Sequence, residues 1–178
     1  MSRRVIPDST STDPATARPV AVLPVGSFEQ HGPYLPLGTD TLIASAIASS
    51  INQHHSVFQL PPVTFGCSHE HAAYPGTISI SATTLAAIVA DIIESLARQN
   101  IAGLIVVNGH GGNAVLINVV QQANHPKNRQ VGLYPSRGAE PKPAPPPEST
   151  AATTTTCTPA NWKPPSCSPP ASYREGWR

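Results

Sequence analysis

Apolar and polar positions follow two periods along the middle of this chain. Val20-Ala21-Val22-Leu23-Pro24-Val25 and Leu104-Ile105-Val106-Val107 are unbroken apolar runs, the pattern of short strands buried on both faces of a parallel sheet. Phe58-Gln59-Leu60 before Pro61-Pro62, the alternating Thr77-Ile78-Ser79-Ile80, and Gln130 to Tyr134 read as further strands. Helical spacing fills the gaps. A helix is predicted from a cap at Thr39 or Asp40 to about Ile51, with Leu42, Ile43, Ala46, Ile47 and Ile51 on its inner face. Ser81 is predicted to cap the clearest helix, about Ala82 to Gln99. There Leu85, Ile88, Val89, Ile92, Ile93 and Leu96 recur at spacings of three and four, and Asn100 ends the pattern. Another helix is predicted over about Ala114 to Ala123. Strands alternating with helices predict an α/β fold with a mainly parallel sheet.

Composition divides the chain into three. Residues 1–19 are polar and read as a flexible leader, and 20–136 as the α/β domain. Residues 137–178 contain Pro141, Pro143, Pro145, Pro146, Pro147, Pro159, Pro164, Pro165, Pro169 and Pro170, ten of the 21 prolines, and the run Thr153 to Thr156. With almost no aliphatic content, that tail is predicted to be disordered. Charged residues make up 12% and the formal net charge is +1, so electrostatics argues for neither nucleic acid nor an acidic partner. No apolar run approaches the roughly 18 residues that span a bilayer. The leader has an Arg pair with no apolar stretch behind it, unlike a secretory signal. Cys67, Cys157 and Cys167 form neither an even framework nor a metal spacing, which points to the cytoplasm.

Three loops follow apolar strands, where open parallel sheets build their sites. The first holds Glu29, His31 and, at a helix start, Asp40. Glu29 and His31 point the same way in an extended segment. Two carboxylates and an imidazole suit zinc, manganese or iron. The same residues serve equally well as a surface charge, a turn residue and a helix cap. Another loop, Asn108-Gly109-His110-Gly111-Gly112-Asn113, lacks both the Lys-Ser/Thr of a phosphate loop and the G-x-G-x-x-G spacing. A nucleotide-binding reading would rest on its glycines alone. The remaining loop, Ser68-His69-Glu70-His71, is not H-E-x-x-H. It is assigned to substrate contact or to support of the site, with a polar surface loop as the equal alternative. Cys67 beside it reads as a small buried thiol.

Taken together, Leu23-Pro24-Val25-Gly26-Ser27-Phe28-Glu29-Gln30-His31-Gly32-Pro33, Thr39-Asp40-Thr41, Glu70-His71, Pro75-Gly76-Thr77 and Val107-Asn108-Gly109-His110-Gly111-Gly112-Asn113 resemble the creatininase (creatinine amidohydrolase) family over about residues 20–134. The resemblance implies a three-layer α/β/α fold and a homo-oligomer. It implies two divalent metal ions (Zn, Mn or Fe) held by Glu29, His31, Asp40 and His110, with Asp40 as the bridge. Glu70 and His71 become the catalytic candidates, and Gly111, Gly112, Asn113 and His69 the substrate or oxyanion contacts. The implied reaction is hydrolysis of a C–N amide bond in a small cyclic amide, formamide or peptide by a metal-activated water. Creatininase itself has a Glu where this chain has Gly112, which argues against creatinine as substrate. An inactive metal-binding remnant or interaction module is the rival class.

The family pattern continues after the last strand with His-Ala-Gly-x-x-Glu-Thr-Ser, a segment this chain does not contain. Its absence implies impaired catalysis. Read one base out of frame, degenerate codons for Cys157 to Pro165 permit His-Ala-Gly-Glu-Leu-Glu-Thr-Ser, with Asn161-Trp162 forcing Leu and Trp162-Lys163 forcing Glu. A frameshift near Arg137 to Glu140 is the resulting expectation, against a natural Pro/Thr linker. The coding DNA across codons 135–178 decides between them.

Overall fold

A computed structural model describes residues 5–12, 20–125 and 130–135. The tail, and residues 1–4 and 13–19 of the leader, lie outside the described residues. Four parallel strands form one sheet in the order β2-β1-β3-β4: β1 Val20–Val25, β2 Phe58–Gln59, β3 Gly103–Asn108 and β4 Gln130–Tyr134. Three helices connect them: α1 Thr39–His54, α2 Ala82–Arg98 and α3 Val115–Ala123.

The two apolar runs are the central strands, and their alternation feeds two cores. Ala21, Leu23 and Val25 of β1 and Leu104 and Val106 of β3 pack with Leu85, Val89, Ile93 and Leu96 of α2 and Leu116 and Val119 of α3. Val22 and Val107 face the other side, against Ala44 and Ala48 of α1. Helices therefore cover both faces of a parallel sheet, the α/β architecture expected from the sequence. Ser81 Oγ accepts the Thr84 N–H at 3.1 Å and caps α2, a contact typically worth about 1 kcal/mol. Asn100, with φ at 61°, turns the chain out of that helix.

Three expectations need correction. Leu42 and Ile43 are 45% and 50% exposed, while α1 buries Asp40, Thr41, Ala44, Ser45 and Ala48. The helix rests on its small residues because it lies close to the sheet: a Cβ at Gly109 would strike the Asp40 carbonyl. Neither Thr39 nor Asp40 caps α1. Gly38 holds that position without a side-chain bond, and the Asp40 carboxylate is turned inward instead. Thr77 to Ile80 contributes a single antiparallel bridge, Phe28 to Ile78, and no strand. Ser79 Oγ instead accepts the Ser68 N–H at 2.9 Å, fastening the Ser68–His71 loop.

The fold places the site through its connections. From β1 the chain crosses by α1 to β2 on one side, then returns by α2 to β3 on the other. β1 and β3 are thus the neighbours at which the order reverses, the place where open parallel sheets build their sites. Val25 pairs with Asn108, so the loops carrying Glu29, His31 and His110 leave the sheet side by side.

Candidate metal centre

Asp40 is the centre of the cluster. Its Oδ1 lies 2.9 Å from His31 Nε2, and its Oδ2 3.0 Å from His110 Nδ1. Ser27 Oγ donates to Oδ2 at 2.8 Å and holds the carboxylate between the two rings. Each imidazole spends its other nitrogen on a backbone carbonyl: His31 Nδ1 on Glu29 at 3.0 Å, and His110 Nε2 on Cys67 at 3.0 Å. A carbonyl only accepts, so those nitrogens carry the protons. The Asp40 carboxylate also only accepts, so each ring stands between two acceptors, and a neutral ring has one proton for the two. A second ring proton or a metal cation on the Asp40 side completes the pairing, and a carbonyl on the far nitrogen is the usual support of a metal-binding His.

Glu29 adds to this demand. It is 4% exposed, and its Oε2 is buried without a hydrogen-bond partner. That oxygen is 3.2 Å from His110 Nε2, whose proton is committed to Cys67. Ligand atoms of Glu29, His31 and Asp40 all lie within 4.8 Å of one another. A buried carboxylate oxygen left unpaired is costly, and a cation satisfies it. The residues present fit a divalent metal ion with mixed oxygen and nitrogen ligands.

His31 is held above the ordinary imidazole value of 6.5. Burial opposes its charge, but the bond to Asp40, the Glu29 carbonyl and the charges of Asp40 and Glu29 outweigh that. The folded-state value is raised, so protonated His31 stabilises the metal-free protein fully below pH about 6.5, and this is lost as pH rises through the raised value. Cation binding needs the neutral ring. Affinity for Zn²⁺, titrated from about pH 5 to about pH 8, is therefore expected to climb across the window above 6.5. A flat profile would remove His31 from the ligand set.

The remaining candidates divide. Residues His69–His71 form a short 3-10 turn that brings two side chains to the rim of the cluster. Glu70 Oε1 is 3.5 Å from His110 Nε2, and His71 Nε2 is 3.7 Å from Glu29 Oε1. His69 is exposed and, among the described residues, makes no hydrogen bond to the cluster. Gly111 is exposed and Gly112 half-buried beside His110. Asn113 is 1% exposed. Its Oδ1 accepts the Cys67 N–H at 2.9 Å, and its Nδ2 donates to Gly26 O at 3.1 Å and Asn108 Oδ1 at 3.0 Å. With both ends of its amide engaged, it braces three loops. Burial, then the charge of Glu70, pushes the Cys67 thiol up, consistent with an unreactive thiol.

The sequence reading missed Ser27, Gln30 and the Cys67 carbonyl. Gln30 Nε2 lies 3.1 Å from His71 Nδ1. Ser27 and Gln30 both flank Glu29 in the first motif, which was the available signal; nothing in the sequence marks a carbonyl. An apolar groove of about 730 Å³ lies between Phe58, Leu60 and Pro61 and the α2 residues Ile92 and Leu96. The candidate ligands gather at the cluster and not there. No helix among the described residues is long and apolar enough to cross a membrane.

Comparison with known proteins identifies the family. The mycofactocin precursor peptide peptidase of Mycolicibacterium smegmatis is 35% identical over 133 residues, covering 71% of this chain and 53% of that protein. The creatinine amidohydrolase of Pseudomonas putida is 32% identical over 103 residues, covering 55% of this chain and 40% of that protein. The chain thus spans about half the length of the curated relatives it matches. A crystal structure of creatinine amidohydrolase superposes with a TM-score of 0.65 at 27% identity, covering 74% of this chain and 57% of that one. Related creatininase structures include an Mn form and a Zn-Zn type. The family model described as Creatininase: Creatinine amidohydrolase matches residues 8–167, beyond the 20–134 over which the motifs show the resemblance. Since that match takes in the sheet, the loops at its carboxyl edge and every candidate ligand, this chain belongs to the creatininase family.

Proposed function

We propose that this chain supplies a metal-dependent amidohydrolase site that cleaves a C–N amide bond in a small cyclic amide, a formamide or a peptide. The observation that carries the reading is the buried, unpartnered Glu29 Oε2 beside an Asp40 carboxylate that faces two imidazoles. Glu29, His31, Asp40 and His110 would hold divalent zinc, manganese or iron, with Asp40 between the two histidines. When bound, such a cation polarises the substrate carbonyl and makes water a nucleophile near neutral pH.

The chain's own residues set the stage for that chemistry. Ser27 aims Asp40, and the Glu29 and Cys67 carbonyls orient His31 and His110. Glu70 and His71 stand between the buried cluster and solvent, with side chains 50% and 31% exposed, where a substrate is met. The backbone N–H groups of Gly111 and Gly112 are the candidate donors to a developing oxyanion. Leu42 and Ile43, outward on α1, support self-association into a homo-oligomer.

The test is turnover. Purified full-length chain, loaded with Zn²⁺ or Mn²⁺, is offered cyclic amides, formamides and short peptides, and released amine or acid is measured. Hydrolysis that a chelator abolishes and added metal restores is the expected result. Stoichiometric metal binding without turnover on any of them would overturn the reading in favour of a metal-binding module.

A further inference from the structure

We propose that Gln30 is a positioning residue that fixes His71 as a hydrogen-bond donor through Nε2, aimed at the open side of the cluster, where it meets the carbonyl oxygen of the amide substrate. The substrate contact rests on the amidohydrolase reading; the orientation of His71 does not.

Gln30 is held at both its backbone and its amide oxygen. Its own N–H donates to Thr77 Oγ1 at 3.2 Å, and its Oε1 accepts the Gly32 N–H at 3.0 Å. Gly32 presents that N–H from a turn at φ 75°, a left-handed backbone that glycine adopts without strain. A backbone N–H only donates, so the amide oxygen belongs on the Gly32 side and the amide NH₂ on the other. Nε2 then faces His71 Nδ1 at 3.1 Å. An amide NH₂ only donates, so Nδ1 is the acceptor and the proton of the neutral ring sits on Nε2.

The rest of His71 is held as well. Its backbone N–H donates to the Ser68 carbonyl at 3.1 Å, and its carbonyl accepts the Tyr74 N–H at 3.0 Å. The Tyr74 ring lies against the imidazole at a centroid separation of 5.9 Å and a tilt of 53°, within the range of tilted aromatic pairs. Ligand-capable atoms of Glu29, Glu70 and His71 come within 4.8 Å of one another. A protonated Nε2 has no lone pair to give, however, so His71 stands outside the set of metal ligands.

What the Nε2 proton meets follows from its surroundings. Nε2 lies 3.7 Å from Glu29 Oε1, beyond the reach of a hydrogen bond, and the His71 side chain is 31% exposed. The donor is therefore free for a group that arrives from solvent. A donor needs an acceptor, and the acceptor of an amide is its carbonyl oxygen. That oxygen gains negative charge as water adds to the carbonyl carbon, so a fixed N–H beside it is worth more in the transition state than in the ground state. No proton leaves His71 in this role.

The experiment reads the tautomer directly. Full-length protein labelled with nitrogen-15 is examined by long-range proton–nitrogen correlation of its imidazole rings at about pH 8.5, where a free imidazole is neutral. The His71 signal is identified by its loss in His71→Gln. Wild type is expected to carry the proton on Nε2, with and without Zn²⁺. Gln30→Glu keeps the length of the side chain and an oxygen for Gly32, but offers the ring only an acceptor, so it is expected to bring a proton onto Nδ1. A role confined to packing would leave the tautomer of that variant unchanged. Gln30→Ala is expected to mix the two forms. On an amide that wild type hydrolyses, Gln30→Glu is expected to lose about 10²–10³-fold in kcat, the loss that follows removal of one oxyanion donor, with KM changed far less. Circular dichroism shows that the proteins compared are folded. A proton on Nδ1 in wild type, or one that stays on Nε2 in Gln30→Glu, would overturn the positioning role. A shifted proton with unchanged kcat would overturn the substrate contact alone. No turnover in any form would overturn the amidohydrolase reading and the substrate contact with it, while the spectra still decide the positioning role.

Discussion

Changing His31 and Asp40 together to Ala is expected to yield a chain that folds but retains no divalent cation. Asp40 is the group on which the cluster converges: Oδ1 meets His31, while Oδ2 meets His110 and takes the Ser27 hydroxyl proton. Its loss leaves His110 Nδ1 and Ser27 without their shared partner. The loss of His31 removes the imidazole most exposed to an incoming ion within that set. Outer partners of metal ligands alone command about 10–100-fold in affinity, so losing two ligands should exceed the upper end of that range. The sheet does not depend on these side chains. Both lie at its carboxyl edge, and the cores are made by β1, β3 and the helices. Elemental analysis of wild type and double mutant after gel filtration, with far-ultraviolet circular dichroism as the folding control, reads the result. Equal metal in the two proteins would dispose of the site.

Gly112→Ala is expected to damage both the fold and the cluster. The added methyl would overlap the Cys67 carbonyl, with His110 Nε2 at 2.5 Å and Glu70 Oε1 at 2.6 Å. Glu70 can swing into solvent, but the Cys67 backbone cannot easily yield. Asn113 holds its N–H at 2.9 Å, and its carbonyl accepts the His110 proton at 3.0 Å. Overpacking against fixed groups costs typically about 1–3 kcal/mol, and relief requires His110 to leave its carbonyl and lose its orientation toward Asp40. Gly111→Ala is the control, because nothing lies within 4 Å of the Cβ it would add. Denaturant unfolding and Zn²⁺ titration of both variants make the comparison. A Gly112→Ala protein that matches wild type in midpoint and metal affinity would show that the close approach carries no weight.

Much of this molecule was legible before folding was considered. Two unbroken apolar runs could bury both faces only inside a parallel sheet, and they became the central strands β1 and β3. The three- and four-residue spacing of Leu85, Val89, Ile93 and Leu96 could satisfy one core face only as a helix. Residue type and place after a strand offered Glu29, His31 and Asp40 as ligand-capable, with a surface charge, a turn and a cap as the equal alternative, and the family resemblance added His110. What hydrophobicity misread was α1. Its largest apolar side chains point outward because contact with the sheet is limited by side-chain size, and the packed face is the one made of Ala44, Ser45 and Ala48.

Only the tertiary structure decided how those residues meet. The parallel register that pairs Val25 with Asn108 brings Asp40 to within 3.0 Å of a histidine 70 positions away. No local spacing encodes a contact at that separation. The same holds for the parts that have no residue signature. The Cys67 carbonyl orients His110, Ser27 aims Asp40, and Asn113 ties the Gly26, Cys67 and Asn108 loops. Residue type and period, which a sequence carries, select strands, helices and ligand-capable side chains. Directional hydrogen bonds and buried, unpaired oxygens exist only once distant backbone segments are fixed against one another, and here they bring four candidate ligands into one cluster.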